Sequence, residues 1–464
     1  MKKREFNVNP FVLIFCVVFV CGILCFLIPP GTLEDGVYTS LPRNELSFDN
    51  IFNIFRAFPQ GIKGTINIII LILVVGGALE IYKKTGAIDN GISVLIQKFG
   101  KSAQSALLFV LIITFFVIGG FLGWIEAMIP FAPLLVAVVL ALGYDSIVAA
   151  AIIIVGLIGG FTAGPTNLYT VAICNGILQQ MGILAEDADM FTGMGFRVVL
   201  WCILTLVSTI YIMRYAAKIK KDPQKSLMAD VDVSDLRIDT SIVEKAKLTG
   251  RQIIVLLLIL AAMIMTIIGM KFGIDGTIWS IDDISAVFIL SCIVAGLVGK
   301  LKPADIADAF VAGAKGSVGG ALIVGLARGV YWILDTMNIV DTMVYSGTNL
   351  LMGTSPYVSA IGIILIVSVI NFFIPSGSAK ASLLSPIMVP IALSLGLQPQ
   401  TAVLAYQFGD GITNMLYFTY GTLIIFLNYG KVSIQKWWKF FIPLMLIFFG
   451  IAFVAVTVAV SIGY

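Results

Sequence analysis

The stretch NFFIPSGSAK, residues 371–380, divides an apolar run that extends from 357 to 395. That run is nearly twice the ~20 residues with which a helix crosses ~30 Å of hydrocarbon. A second run of this kind, 105–142, is divided by GWIE at 123–126. Each run is either two crossings or one re-entrant hairpin whose tip lies at mid-membrane depth. This choice decides the topology of the whole chain.

The composition places the chain in a membrane. Of its 464 residues, 59% are hydrophobic and 12% are charged, and the mean hydropathy is +1.03, whereas soluble domains are about a quarter charged. Histidine is absent, which excludes His-based acid–base catalysis, Ser-His and Cys-His nucleophile pairs and the commonest zinc ligand. The six cysteines lie in apolar runs without CxxC spacing and indicate buried side chains rather than a metal or disulfide framework. The net charge of +3 does not indicate nucleic-acid binding.

The distribution of Lys and Arg favours hairpins. With two hairpins, nine helices cross the membrane, and the segments on the cytoplasmic side hold 22 of the 29 Lys and Arg residues. This bias follows the positive-inside rule. The N-terminus is then cytoplasmic, the apolar segment 11–28 is a retained first helix, and the C-terminus lies outside. The sequence thus predicts an all-α polytopic protein in a bacterial-type cytoplasmic (inner) membrane.

Two parts of the chain are similar at an offset of 252 or 253 residues. GIKGT at 61–65 recurs as GAKGS at 313–317, and PLLVAVVLALG at 133–143 recurs as PIMVPIALSLG at 386–396. Under the nine-helix topology the two copies have opposite orientations. Inverted repeats with helices broken near the midplane are typical of secondary transporters, whose binding site lies where the repeats meet.

The repeat predicts four regions along the chain. They are a first transmembrane helix with its outer connection (1–60), repeat 1 (61–214), a cytoplasmic linker with a connecting helix (215–283) and repeat 2 (284–464). Each repeat contains a hairpin followed by a broken helix, at 105–142 and 146–178 in repeat 1 and at 357–395 and 400–428 in repeat 2. The charged segment 215–250 is expected to be a solvated linker.

Glycine and proline predict where the two helices break. The breaks are GGFTAGPTN at 159–167 and GDGITN at 409–414, and PTN in the first aligns with ITN in the second. Freed carbonyls and polar side chains at a break can bind a small cation or a substrate amine, although a purely structural kink is the alternative. Asp410 is an ionisable group in apolar surroundings, so it needs a cation, a proton or a positively charged ligand. The other polar candidates are Thr166, Asn167, Thr413 and Asn414.

The hairpin tips carry further candidate residues. Ser376 and Ser378 are suited to cap a helix N-terminus, and Gly377 lets the backbone approach a ligand. A helix N-terminus at this tip would attract a carboxylate. The repeat offset places Glu126 and Lys380 in equivalent tip regions, where they are expected to face each other, either as substrate or coupling contacts or as a structural ion pair.

Two features lie outside the tips and the breaks. Arg328, in GLARG at 325–329, can hold a substrate carboxylate in a bidentate fork, or it can neutralise Asp410 or Glu126. The pair Trp437-Trp438 predicts an aromatic anchor at the membrane interface.

These segments resemble the YfcC-type members of the C4-dicarboxylate anaerobic carrier family, within the ion transporter superfamily. The resemblance is carried most specifically by GLARG, by NFFIPSGS at 371–378, and by QTAVLA at 400–405 with QFGDG at 407–411 and Thr413-Asn414. It extends less sharply to 126–135 and 165–167. It implies a transport domain of two hairpins and two broken helices on a scaffold, an elevator-like movement and a homodimer. Members carry dicarboxylates or exchange arginine and ornithine.

Two positions depart from the family pattern. Glu126 is followed by Ala127 where relatives have a second Glu, and Lys380 stands where relatives have Gln. Each change makes the site one charge more positive, which weakens the case for a dibasic amino acid and favours a substrate that bears a carboxylate. Lys380 can also replace a coupling cation as a tethered positive charge.

The sequence therefore predicts a secondary active transporter, not an enzyme, that moves a small carboxylate-bearing metabolite of the amino acid or C4-dicarboxylate type by alternating access. The alternatives are an arginine/ornithine-type antiporter and, from another class, an ion channel, although no ring of like charges is visible. No cofactor or metal is expected, Na+ and H+ are the candidate coupling ions, and the partners are a small-molecule substrate, the lipid bilayer and a second copy of the chain. The predicted binding residues are Glu126, Thr166, Asn167, Arg328, Ser376, Gly377, Ser378, Lys380, Asp410, Thr413 and Asn414.

Overall fold

The computed structural model describes residues 10–34, 37–99, 104–236, 247–273, 277 and 279–464. The predicted cytoplasmic N-terminus and residues 237–246 of the predicted linker lie outside the described residues. The α-helices, in chain order, are α1 (Pro10–Leu27), α2 (Phe48–Lys63), α3 (Ile66–Lys84), α4 (Ala87–Phe99), α5 (Gln104–Val117), α6 (Ala132–Ala141), α7 (Ser146–Ile154), α8 (Gly160–Thr162), α9 (Ile173–Gln180), α10 (Met194–Lys221), α11 (Gly250–Phe272), α12 (Ile281–Val298), α13 (Pro303–Thr336), α14 (Val340–Asn349), α15 (Pro356–Phe373), α16 (Gly377–Ser394), α17 (Pro399–Asn414), α18 (Gly421–Tyr429) and α19 (Ile434–Ile462).

Shorter helical turns extend some of these helices. π-helical turns at Ile118–Leu122, Val155–Gly159 and Leu168–Ala172 lie at the end of α5, between α7 and α8, and before α9. A 3-10 turn, Glu126–Phe131, leads into α6. Two antiparallel strands, β1 (Gly31–Glu34) and β2 (Val37–Ser40), form a ribbon that the all-α prediction did not include. The ribbon packs on α14, where the ring of Tyr38 stacks on that of Tyr345 at 4.1 Å.

The helices confirm a polytopic membrane fold. Seven helical stretches of the described residues are long and apolar enough to cross a membrane, judged by length and composition. They are Ile66–Lys84, Gln104–Leu122, Met194–Lys221, Ile281–Val298, Pro303–Thr336, Pro356–Phe373 and Ile434–Ile462. The predicted span at 62–82 is divided between α2 and α3, because the chain leaves the helix at Gly64 and Thr65.

Each of the two divided apolar runs returns to its starting point. Lys220, near the end of α10, donates a hydrogen bond to Gln104 at the start of α5 and lies 4.7 Å from the ring centroid of Tyr144, just after α6. In the second run, which forms α15 and α16, a Cβ atom placed on Gly396 would lie 3.4 Å from Pro356. The end of α16 therefore meets the start of α15. Helices α5 and α6, and likewise α15 and α16, therefore form hairpins. The depth at which the hairpin tips lie in a bilayer stays a prediction.

Helices α10 and α19 run antiparallel. The hydroxyl of Tyr464, after α19, donates to the carbonyl of Gly193, before α10, at 2.7 Å. Towards the other ends, the hydroxyl of Tyr211 donates to the carbonyl of Phe440 at 2.7 Å. The end of α10 and the end of α19 therefore lie on opposite faces of the molecule.

The two hairpins enter from these opposite faces. The base of the first hairpin lies at Lys220, at the end of α10, whereas Tyr357 at the base of the second shares a hydrogen bond of 3.4 Å with Ser461 at the end of α19. Equivalent helices begin at constant intervals: α5 and α15 begin 252 residues apart, and α7 and α17 begin 253 residues apart. The arrangement is that of two copies with opposite orientation.

The first broken helix is interrupted where the sequence predicts, but the second is not. Residues 163–167 are unwound between α8 and the turn that starts at Leu168. Helix α17 continues to Asn414 without interruption, and the chain is non-helical from 415 to 420. The predicted break at 409–414 is therefore wrong. The alignment of PTN at 165–167 with ITN at 412–414 is wrong as well. Asn414 ends α17 as Thr162 ends α8, so Asn414 is equivalent to Thr162 and not to Asn167.

The glycines at 409 and 411 serve close packing rather than unwinding. A Cβ atom on Gly409 would lie 2.6 Å from the carbonyl oxygen of Ile364 in α15, and one on Gly411 would lie 2.6 Å from the Cα atom of Thr162 in α8. Small residues allow helix backbones to approach in this way within membranes. Helix α17 is thereby held against both neighbours.

We expect Gly411→Ala to destabilise the protein by about 1–3 kcal/mol, because the added methyl group overlaps backbone that cannot move independently. The matched control is Gly316→Ala in α13, where a Cβ atom would meet nothing within 4 Å. Alanine there should be neutral or stabilise the helix by about 0.5–1 kcal/mol. Thermal unfolding of the two purified variants measures the difference, and equal effects of both substitutions would contradict the packing explanation.

The helices form two packed groups. The α13 group contains α1–α4 and α11–α13, and its centre is α13 packed on α2 and α3. The hairpin group contains α5–α10 and α15–α19, with α17 packed on α15, α16 and α19. The groups meet where α18 contacts α13, where the Glu126–Phe131 turn contacts α3 and where α6 contacts α4.

The segment predicted as a solvated linker is partly ordered against the bundle. Helix α10 continues to Lys221, so the prediction is wrong for residues 215–221. The next residues are held by α19, since Lys436 donates to the carboxylate of Asp230 and, at 2.6 Å, to the carbonyl of Leu227. The hydrogen bond from Lys436 holds the pKa of Asp230 below its usual range.

Candidate substrate-binding cavity

A cavity of about 490 Å³ lies between the two groups, where both hairpin tips meet. This volume is within the usual range for small-molecule sites. The α13 group contributes Gly64, Thr65, Ile68, Ser280, Ile281, Val324 and Arg328 to its wall. The hairpin group contributes Gly123–Ala127, Phe161, Tyr169, Pro375–Ser378, Asn414 and Thr419–Thr422.

The structure brings about half of the predicted binding residues to this cavity. Those that line it are Glu126, Arg328, Ser376, Gly377, Ser378 and Asn414. The others are not part of its wall and make hydrogen bonds within the hairpin group: Thr166, Asn167, Lys380, Asp410 and Thr413.

Glu126 presents a carboxylate to the cavity from the first tip. Gly123 has a φ of +68°, a left-handed conformation that glycine adopts without strain, and this permits the sharp turn before Glu126. The carboxylate accepts hydrogen bonds from the hydroxyls of Tyr420 at 3.0 Å and Thr422 at 3.4 Å. Both donors are neutral, so the negative charge is available to a cationic group of a ligand.

Arg328 presents a guanidinium group from the α13 side. Its central carbon lies 4.2 Å from the ring centroid of Tyr331. Among the described residues, no carboxylate oxygen lies within 4.0 Å of its nitrogens. The interpretation that Arg328 pairs with Asp410 or Glu126 is therefore wrong for this conformation. Its fork of donors is free to bind a ligand carboxylate.

The second tip offers a helix N-terminus. Ser376 is the N-cap of α16, as predicted, and its hydroxyl accepts from the N–H of Ala379 at 3.4 Å. The first backbone N–H groups of a helix have no partner within it and carry a partial positive charge. Tyr406 steadies the tip by donating its hydroxyl hydrogen to the carbonyl of Gly377 at 2.8 Å.

Lys380 pairs with Asp410 and not with Glu126. Its Nζ atom lies 2.7 Å from Oδ1 of Asp410, and both side chains have zero exposure. The expected pairing of Glu126 with Lys380 is wrong because α16 begins at Gly377. Lys380 therefore lies on the first helical turn and is directed towards α17, whereas the residue equivalent to Glu126 at the offset of 252 is Ser378.

The carbonyls of the first break are satisfied by amide side chains. Asn167 caps the following helix by accepting from the N–H groups of Tyr169 and Thr170 at 2.9 and 3.1 Å. Its amide donates to the carbonyl of Phe161 at 3.1 Å, and Gln407 donates to the carbonyls of Phe161 and Gly164 at 3.1 and 3.0 Å. Asn167 is thus occupied by structural contacts.

Two tryptophans satisfy carbonyls of the non-helical segment 415–420 that follows α17. The indole N–H of Trp437 donates to Met415 at 2.7 Å, and that of Trp438 donates to Leu416 at 2.8 Å. Trp437 has zero exposure. Trp437 is therefore not an interfacial anchor, because its buried indole is held by a backbone carbonyl. Trp438 is partly exposed, and its place at the membrane interface stays a prediction.

Sequence reasoning missed several residues of the site. Tyr420 and Thr422 hold Glu126. The amide nitrogen of Asn371 lies within hydrogen-bonding distance of three groups of α17, at 3.1 Å from the carbonyl of Asp410, 2.8 Å from Thr413 and 2.9 Å from Asn414. The sequence signal that could have identified Asn371 and Gln407 is that both are amides within apolar helices, where polar side chains need hydrogen-bond partners.

A family model and a relative at 31% identity show the family of this chain. The family model DcuC, C4-dicarboxylate anaerobic carrier, matches residues 8–461. An Escherichia coli K12 protein named "Putative basic amino acid antiporter YfcC" is 31% identical over 427 residues, covering 88% of this chain and 81% of that protein. An uncharacterized protein of Haemophilus influenzae is 28% identical over 424 residues, covering 90% of this chain and 78% of that protein.

Two solved transporter structures match this chain over nearly its whole length. The Alcanivorax borkumensis YdaH transporter has a TM-score of 0.42 and 16% identity, covering 98% of this chain and 99% of that one. Neisseria gonorrhoeae MtrF, whose structure is described as illuminating a class of antimetabolite efflux pumps, has a TM-score of 0.42 and 17% identity, covering 97% and 95%. Because the DcuC model spans nearly the whole sequence, the chain belongs to the C4-dicarboxylate anaerobic carrier family of multi-pass membrane transporters.

Proposed function

We propose that this transporter is a secondary active carrier of a small carboxylate-bearing metabolite, an amino acid or a C4-dicarboxylate, in the bacterial cytoplasmic membrane. The observation that carries the proposal is Arg328, a guanidinium group in the wall of a 490 Å³ cavity with no acidic partner within 4.0 Å among the described residues. A free guanidinium in such a site is well suited to a carboxylate.

The remaining charges of the cavity favour a ligand with both signs of charge. The helix N-terminus at Gly377 and Ser378 adds a second anion-attracting feature. Glu126 supplies a carboxylate for an ammonium group. A zwitterionic amino acid can satisfy Glu126 and Arg328 together, and a dicarboxylate can use Arg328 and the helix N-terminus.

The second candidate is a basic amino acid antiporter, which the name of the Escherichia coli relative and the Glu126 carboxylate favour. The formal charges of Glu126 and Arg328 in the cavity wall cancel. The second cationic group of arginine or ornithine would therefore find no further carboxylate there, which favours the first candidate. An ion channel is not favoured, because the charged groups that line the cavity do not form a ring of like charges.

We propose an elevator-like movement for the transport step. The cavity lies between the α13 group, which supplies Arg328, and the hairpin group, which supplies Glu126 and both tips. In this scheme the hairpin group carries the substrate past a stationary α13 group. The homodimer, the cytoplasmic N-terminus, the outside C-terminus and coupling to Na+ or H+ stay predictions.

Arg328→Gln tests the proposed function. We expect it to weaken substrate binding by about 10- to 100-fold, since a charge-assisted hydrogen bond to a carboxylate contributes about 1.5–3 kcal/mol. The matched control is Lys315→Gln, which removes a positive charge from the same helix at an exposed position outside the cavity wall.

Binding of L-aspartate, succinate and L-arginine to both purified variants and the wild type measures the effect. The proposal is contradicted if Arg328→Gln binds the carboxylate-bearing ligand of the wild type with unchanged affinity, or if both substitutions weaken binding equally.

A further inference from the structure

Beyond the proposed substrate, we infer that the second hairpin covers a binding site for a monovalent cation, and that in this chain the ammonium group of Lys380 fills it. The site lies behind the tip, and its residues are not part of the wall of the substrate cavity. It does not depend on the identity of the substrate.

The atoms around the ammonium group are those that bind a hard cation. Lys380 Nζ is 2.7 Å from the carboxylate of Asp410 and 3.2 Å from the carbonyl of Ile374, and it also donates to the side-chain oxygen of Asn371. Carboxylate, backbone carbonyl and amide oxygens are the ligands of hard cations in proteins. Ile374 is the C-cap of α15, so its carbonyl also carries the partial negative charge of a helix C-terminus.

The amide of Asn371 is turned so that its oxygen faces the site. Its nitrogen, which has two hydrogens to donate, lies 3.1, 2.8 and 2.9 Å from three acceptors: the carbonyl of Asp410, the hydroxyl of Thr413 and the side-chain oxygen of Asn414. With all of these acceptors on the nitrogen side, the oxygen is left for Lys380. The cage is therefore built by α15 and α17, independently of the lysine that occupies it.

One ligand atom of the cage is unsatisfied. Asp410 has zero exposure, and no donor in the part of the chain that the structure describes reaches its Oδ2 atom. Buried carboxylate oxygens nearly always have a partner. The Oδ2 atom lies 3.2 Å from the position of a Cβ atom on Gly377, directly below the tip. The ammonium group of Lys380 thus leaves the Oδ2 atom of Asp410 without a donor. This is expected where a side chain replaces an ion that would be surrounded by several oxygens.

The charges at the site favour a monovalent ion, and the site lies directly below the second tip. Lys380 contributes one positive charge against the single negative charge of Asp410. Gly377 lies both against Asp410 and in the wall of the substrate cavity. A cation in the cage therefore holds the second tip in place, and a tethered ammonium group performs this task without an external ion.

The test is Lys380→Ala in the full-length purified protein, with Na+ as the probe. Thermal unfolding is followed in NaCl and in choline chloride, both at about 150 mM, so that ionic strength is constant. We expect the exchange to change the Tm of the wild type less than that of the variant, since Lys380 already fills this site in the wild type. The variant should have a lower Tm in choline chloride, and NaCl should raise this Tm by several degrees with a saturable dependence, because an ion that binds only the folded state stabilises it.

The double variant Lys380→Ala with Asp410→Asn is the control, since it removes the carboxylate ligand and should lose the response to Na+. The inference is overturned if Lys380→Ala does not respond to Na+, if the double variant responds equally, or if only acidification restores the Tm, which would mean that a proton satisfies Asp410. Lys380→Ser is prepared in parallel, with extraction in NaCl. Failure of both variants to fold in NaCl also overturns the inference, because Na+ should replace the lost ammonium group.

Discussion

Asp410→Asn is expected to destabilise the protein by about 3–5 kcal/mol, because it leaves the buried ammonium group of Lys380 without its counter-charge. Both partners have zero exposure and are 2.7 Å apart, so water cannot replace the lost carboxylate. The double variant Asp410→Asn with Lys380→Met should recover most of the stability, since replacing both buried partners is often neutral. Thermal unfolding and the yield of monodisperse protein measure both effects.

The control for this prediction is Asp305→Asn, which breaks the exposed pair with Lys84 at 3.5 Å. Exposed pairs contribute about 0–1 kcal/mol, so this variant should resemble the wild type. A single variant at Asp410 as stable as the wild type, or a double variant no better than the single one, would show that the pair is not a tight structural unit.

A disulfide between the two helix groups is expected to abolish transport completely. A Cβ atom on Gly320 of α13 would lie 3.9 Å from the Cβ atom of Asn428 of α18, within the ~3.5–4.5 Å range of native disulfides. Oxidation of the Gly320→Cys, Asn428→Cys pair, in a background without the native cysteines, should fix the hairpin group against the α13 group. Transport in proteoliposomes should stop and should return on reduction.

The two single-cysteine variants are the controls, since each carries the same side-chain change without a cross-link. Substrate binding should persist in the cross-linked protein, because the cavity stays in its present conformation. Undiminished transport by fully cross-linked protein would rule out a movement of one group past the other.

The sequence predicted the features that depend on local backbone chemistry. The stretch at 371–380 contains Pro375, Ser376 and Gly377, which end one helix and cap the next, and the structure has its tip there. The offset of 252–253 residues located the repeat, because equivalent helices start at equivalent positions. The unwound segment at 163–167 contains a Gly-Pro pair, in which glycine weakens the helix and proline removes a backbone donor.

Two of the errors depend on contacts between segments that are distant in the sequence. Glycine has two uses in a membrane helix, and only the neighbouring backbones of Ile364 and Thr162 show that Gly409 and Gly411 serve packing. Lys380 was assigned to Glu126 by similarity of position. Lys380 lies on the first turn of α16, and its side chain is directed to Asp410 instead. The role of the two glycines and the partner of Lys380 are both determined by contacts between segments that are distant in the sequence.

The most direct test of the account is the accessibility of a cysteine at position 378. Ser378 lines the cavity at the second tip, and Ser378→Cys in a background without the native cysteines should react with a membrane-impermeant thiol reagent. Ala185→Cys, in the exposed loop between α9 and α10, is the control for reagent access. Labelling rates are compared with and without saturating L-aspartate, succinate or L-arginine. We expect a carboxylate-bearing ligand to slow labelling at 378 but not at 185; an inert cysteine at 378 from both sides of the membrane, or a rate that no transported ligand changes, would contradict a substrate site between the hairpin tips.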